Sequence, residues 1–201
     1  MAKANWLKVD PEKGSGNGSV NVTSVSPHTG RTVRTTTLTF TAAGVENITR
    51  DVSQAGKPEY VDIAENAASN KSGQTVTISG KSNSSKLTFS LGSGSLMVSL
   101  PSSYTANSVT TSNGAAISGD PGASSEYNFS ISIVVPENTG ITSLSRQVIV
   151  TAADGKTDTC TLTLAAGDPY LRVAIGTIEL GWEGTTPVAV SIESNTAWEV
   201  K

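Results

Sequence analysis

His28 is the only histidine in this chain of 201 residues, so a serine-type catalytic relay would have to centre on it. It stands in the segment Ser-Pro-His-Thr-Gly, where a polar turn residue is expected. Cys160 is also alone, which excludes an internal disulfide; its strand-like surroundings make it either a buried small residue or a half-exposed one. Asp51, Asp62, Glu65, Asp120, Glu126, Asp154 and Asp158 fall singly along the chain, without the D-x-D-x-D-G spacing of a calcium loop. Only the fold could bring two carboxylates together across a glycosidic bond, and each acidic residue already has a role as a turn or solvated strand residue. No catalytic residue, metal ligand or cofactor site is expected. Asn17, Asn21, Asn47, Asn70, Asn83 and Asn128 satisfy N-x-[ST], as a chain rich in Ser and Thr will often do.

The elements that position these residues are strands. Ser and Thr number 54, Gly 19, and aromatic residues only 10, a composition of small, polar and β-branched side chains. Strict alternation recurs in SVNVTSV, TLTFTA, TVTISG, FSISIVV, QVIVTA and TCTLTLA, and no window of helical length carries apolar residues at helical spacing. The expected class is therefore all-β, as one or more sandwiches. A net charge of -3 without a Lys/Arg cluster argues against phosphate contacts, so nucleic acid is not an expected partner, and neither is a membrane. The start MAKANWLKVD has no apolar leader region or cleavage site. This suggests a protein made and used in a cytoplasm, assembled into a particle there, or trimmed.

A repeat organises the chain. Thr29-Gly30 matches Thr139-Gly140 and Thr41-Ala42-Ala43 matches Thr151-Ala152-Ala153, both 110 residues apart. Gly44 then aligns with Gly155, and Ala55-Gly56 with Ala166-Gly167, at 111, each followed by a boundary proline, Pro58 or Pro169. Ser82-Asn83 falls on Ser194-Asn195 at 112. A period of this size is that of tandem β-sandwich modules. Residues 57–167 carry both halves of the repeat, with a low-complexity insertion at 92–126 in which SLMVSL and NSVTTS are candidate strands and GDPG a turn. Residues 1–56 carry only the second half, and residues 168–201 only the first.

The runs SNTAWEV near the C-terminus, WLKVDPEKGSGNGSVNV near the N-terminus, TGRTVRTTTLTF and VSQAG together resemble the BACON family of immunoglobulin-like β-sandwich modules. The family's order is an opening strand pair ending in SN..W.V, then W..V.P..G.G...V.V, an Arg-containing turn, an R..T.T strand and a closing V.Q.G strand. Here every element is present, but the module is split between Val200 and Trp6. The middle module matches loosely: LAAG replaces V.Q.G, and no Trp follows Ser82-Asn83. The resemblance implies tandem immunoglobulin-like sandwiches, with residues 168–201 as the strand pair that completes module 1–56, in the same chain or in a neighbouring subunit. It also implies two settings. Modules of this kind occur in virion proteins of crAss-like phages, which gives a non-enzymatic auxiliary or decoration capsid protein in a virion, partnered by the major capsid protein, by other virion proteins or by itself through strand exchange. They also occur in Bacteroidetes surface proteins, which gives a carbohydrate-binding module at the bacterial cell surface.

A sandwich without its opening strands exposes an apolar face and an unpaired edge. On the donating segment Val188, Val190 and Ile192 share one face, and Trp198 follows the SN turn. Burying these four at roughly 1.5–3 kcal/mol each supplies on the order of 5–10 kcal/mol before ordering costs. Two geometries satisfy the pattern. In one the chain closes on itself, favoured by effective concentration; in the other each C-terminal segment completes the next molecule. Trp6, Trp182 and Trp198 read as core residues in strand phase, which leaves Tyr104 in the insertion and Tyr127 just after it as the candidate contact residues.

Overall fold

The computed structural model describes residues 3–201, and its regular elements are β-strands apart from one short 3-10 turn. In the N-terminal segment β1 (Leu7–Asp10) pairs with β2 (Asn21–Ser24) and β3 (Arg34–Phe40) with β4 (Ile48–Gln54), both antiparallel. The EKGSGNGS run lies in the first connection and residues 41–47 form the second, the last three residues of AAGVENITR already belonging to β4. The middle segment supplies β5 (Val61–Ile63), β6 (Asn66–Ser69), β7 (Gln74–Ser82), β8 (Leu87–Gly94), β9 (Ser103–Ala106), β10 (Val109–Ser112), β11 (Tyr127–Val135), β12 (Leu144–Ala152) and β13 (Thr157–Leu164). The C-terminal segment adds β14 (Leu171–Val173) and β15 (Ile192–Ser194).

The middle strands form two sheets, ordered β10-β9-β11-β7-β5 and β6-β13-β12-β8. Alternation in β11 puts Tyr127, Phe129, Ile131, Ile133 and Val135 inside and leaves the residues between them toward solvent. They meet Leu87, Phe89, Val148, Val150, Cys160, Leu162 and Leu164 of the facing sheet. Phe89 lies 5.0 Å from the Tyr104 ring and 5.8 Å from that of Phe129, both inclined. This is a complete sandwich core, and it is where the chain buries most of its apolar area.

The insertion is partly structured. NSVTTS forms β10 and its turn with β9, through Asn107 and Ser108 at φ 48 and 64, a left-handed pair suited to a tight hairpin. GDPG becomes the left-handed Asp120 and the 3-10 turn Pro121–Ala123. SLMVSL is irregular; Leu96 is buried, and Arg146 clamps the run by donating to the carbonyls of Leu96 (2.7 Å) and Gly92 (3.0 Å).

Strand register revises the repeat. Arg34 lies opposite Gln54 as Leu144 lies opposite Leu164, and Phe40 opposite Ile48 as Val150 opposite Asp158. The two hairpins therefore have equal loops, and 110 holds through both, so that Lys57 corresponds to Gly167 and Pro58 to Asp168 rather than to Pro169. The glycines of the two turns occupy adjacent rather than equivalent turn positions.

Phe129→Ala should cost about 3–5 kcal/mol in denaturant unfolding of the middle module, because it opens a cavity between the sheets. Cys160 is fully buried, and burial pushes its thiol up to about 11. It should therefore react with a thiol reagent at neutral pH only as fast as the module unfolds, which a labelling time course with and without denaturant measures.

Candidate functional site: module junctions and open edges

In the N-terminal segment a polar bracket joins the two hairpins. Arg34 sits over the Trp6 ring at 4.6 Å and donates from Nε and Nη2 to Gln54 Oε1 at 2.9 and 2.7 Å. Gln54 Nε2 donates to Ser24 Oγ at 3.2 Å. Leu7 and Leu38 are buried, but Val20, Val22, Phe40 and Ile48 are 39–53% exposed.

The junction with the middle module is built on Asn83, whose side chain is fully buried. Its Oδ1 accepts from the Tyr60 amide at 2.9 Å. Its Nδ2 lies within 3.1–3.3 Å of the carbonyls of Lys57, Pro58 and Thr29. Ser82 Oγ donates to the Tyr60 carbonyl (2.6 Å) and accepts from the Ser84 amide (2.9 Å). Arg31 reaches across, donating from Nη1 to the Asn83 carbonyl (3.0 Å) and to Asp120 Oδ1 (2.8 Å), while Nη2 pairs with the other Asp120 oxygen. The Arg31 and Thr32 amides donate to the Gly122 and Ala123 carbonyls. Gly30 and Gly122 are required by this closeness: a Cβ on Gly30 would lie 2.3 Å from the Ser124 backbone, and one on Gly122 2.1 Å from the Asn83 carbonyl oxygen.

The far end of the middle module repeats the arrangement. Asn195 Oδ1 accepts from the Tyr170 amide, and Nδ2 donates to the carbonyls of Thr139 and Asp168, each at 2.9 Å. Ser194 Oγ donates to the Tyr170 carbonyl and accepts from the Thr196 amide. The Gly167 amide bonds to the Gly140 carbonyl as Lys57 does to Gly30, and Ala174 to Ser191 as Ala64 does to Ser79. The strands agree as well: Leu171, Arg172 and Val173 face Ser194, Glu193 and Ile192 as Val61, Asp62 and Ile63 face Ser82, Lys81 and Gly80. β14 and β15 are thus the counterparts of β5 and the end of β7. The two junctions lie at opposite ends of the β7–β11 pair, roughly 30 Å apart.

Three edges remain open among the described residues. β11 lies between β9 and β7, but its counterpart β2 pairs only with β1. β12 lies between β13 and β8, but β3 pairs only with β4. β7 lies between β5 and β11, but β15 pairs only with β14. These edges, with the half-exposed side chains beside them, can do no bond-making chemistry; they can pair with another strand.

Residues 1–55 match the BACON family model, whose description reads "Putative binding domain, N-terminal". The N-terminal segment is thus similar to a BACON-type module. No curated protein matches the chain significantly. The motif positions of the resemblance now have physical roles: the BACON Trp6, the Arg34 of R..T.T and the Gln54 of V.Q.G are the bracket between the hairpins.

Of the strand-complementation residues, Val188 (42%) and Trp198 (52%) are exposed, and Val190 and Ile192 are half-buried. Trp182, read as core, is 94% exposed, because no facing sheet covers residues 168–201. The closed arrangement that effective concentration favours is not the one adopted here: among the described residues no strand of 168–201 pairs with one of the N-terminal segment. Tyr104 and Tyr127 are corrected from contact residues to core, at 3% and 4% exposure. Burial raises both phenols, and their hydroxyls serve the Leu87 amide and the Ser84 carbonyl. What the insertion does expose is Met97 (77%), which with Val98, Leu100, Pro101, Val134 and Pro136 lines a shallow apolar groove. Sequence alternation misses it because the run is irregular. His28 Nε2 lies 2.7 Å from the Thr32 carbonyl oxygen. Among the described residues no three His, Cys, Asp or Glu side chains converge as a metal site would require.

Asn83→Ala should cost on the order of 3 kcal/mol, since it strips buried peptide groups of their partners. Asn195→Ala, at the open junction, should cost under about 1 kcal/mol. Paired urea unfolding curves would measure the difference.

Proposed function

We propose that this chain is a non-enzymatic structural protein of a phage virion, an auxiliary or decoration protein that binds the capsid surface through its β-modules. The observation that carries the reading is the repeated junction: modules set in a fixed tandem relation present open edges and an apolar groove. A surface-coating protein needs that combination of rigid spacing and exposed contact area. The binding-domain description of the matching family supports the coarser part of the reading, and the phage setting rests on the sequence resemblance alone. We assign the Met97 groove to the particle contact, since Met97 and Val134 stand exposed in it and Arg146 fixes the backbone of the run that carries Met97.

The two tyrosines named for the carbohydrate-binding alternative are buried in the core, so an aromatic platform would have to be built on the exposed Trp182 or Trp198 instead.

Mass spectrometry of purified particles should find the chain at a stoichiometric ratio to the major capsid protein, and its absence would refute the proposal. Met97→Asp should lower particle occupancy about tenfold or more, with the unfolding curve of the middle module unchanged. Unaltered occupancy would remove this groove as the contact.

A further inference from the structure

We infer that copies of this chain join head to tail, strand β15 of one copy pairing along β2 of the next, so that residues 168–201 of the first complete the BACON module of the second. The inference does not depend on the virion setting.

The register follows from the middle module, where β7 pairs with β11 through Gly80 opposite Phe129 and Ile78 opposite Ile131. Counting back from Ser194, as from Ser82, puts Val190 and Ile192 at the positions of Ile78 and Gly80. Counting back from Pro27, as from Pro136, puts Val20 and Val22 at Phe129 and Ile131. The predicted cross-copy pairs are Ile192 with Val20 and Val190 with Val22. Exposure agrees with this alignment: Val25 falls on Val134, and both point outward, at 59% and 71% exposure.

Side-chain volume supplies an independent sign of complementarity. In the middle module Gly80 leaves room for Phe129, whose ring atom lies 2.4 Å from where a Cβ on Gly80 would be. In the C-terminal segment the glycine is replaced by Ile192, and in the N-terminal segment the phenylalanine is replaced by Val20. The large and small members have exchanged places, so the pair keeps a similar volume only if these two segments face each other. Neither Ile192 nor Val20 meets such a partner within the chain.

Val200 (82% exposed) on the donating segment and Phe40 (44% exposed) on β3 leave further apolar surface uncovered on the two flanks. Because the Asn195 junction repeats the Asn83 junction, the next copy would continue the same module-to-module step. This is a heterologous contact, and it generates open chains rather than a closed pair.

The test uses the full chain carrying Val22→Cys and Val190→Cys together. Both positions lie outside the middle core, so its unfolding transition should be unchanged. Oxidation should produce a ladder of disulfide-linked oligomers on a non-reducing gel, and the register-shifted pair Thr23→Cys with Val190→Cys should not. Product confined to monomer mass, whether unlinked or linked within one chain, would overturn the inference, and an equal ladder from the shifted pair would overturn the register. Light scattering of the unaltered chain should show a mass that rises with concentration and is lost in Val190→Asp; a monomer at every concentration is the contrary result.

Discussion

The buried carboxamide of Asn83 is the constraint on which the arrangement of this molecule depends. Where one module ends and the next begins, the backbone leaves strand pairing, and its amide and carbonyl groups must find partners or be left dry. One side chain meets that need, accepting from Tyr60 and facing the carbonyls of Lys57, Pro58 and Thr29. A carboxamide suits the position because it both donates and accepts. The bracket turns a link into a fixed joint, and Arg31 with Asp120 closes it from the outer side.

The two flanks differ from the middle in how much they bury. The middle module has two facing sheets and a continuous core; each flank has hairpins whose apolar residues stay half exposed. Stability therefore falls from centre to ends, and the flanks are the parts expected to open locally and to accept partners. Their hydrogen-bonded frames, the Trp6–Arg34–Gln54 bracket and the Ser194–Asn195 turn, keep the strands in register while the edges remain free. A preordered edge loses less conformational freedom on pairing than a loose segment would.

Much of the fold was legible in the sequence. Alternation in FSISIVV, QVIVTA and TCTLTLA marks β11, β12 and β13, and the repeat of SN and TG turns marks both junctions. The site was less legible. Tyr104 and Tyr127 read as surface residues because they lie in or beside a Ser-rich, Gly-rich stretch, yet β9 carries Tyr104 into the core against Phe89, and Tyr127 opens the buried face of β11. Met97 lay in a run that reads as a strand and is not one. The repeat drifted to 111 because glycines were matched across turns in which they occupy neighbouring positions, whereas strand pairing holds 110.

The sequence by itself determined the all-β class, the three segments and the residue types at each junction, since period-two alternation and turn chemistry are local properties of the chain. The tertiary structure alone decided where the C-terminal segment lies. Strand pairing is non-local, and two segments with the same pattern can meet in one chain or in two. Here the hydrogen bonds of Asn195 to Thr139 and Asp168 hold the segment at the end of the middle module away from β2 and β3, with its apolar face uncovered.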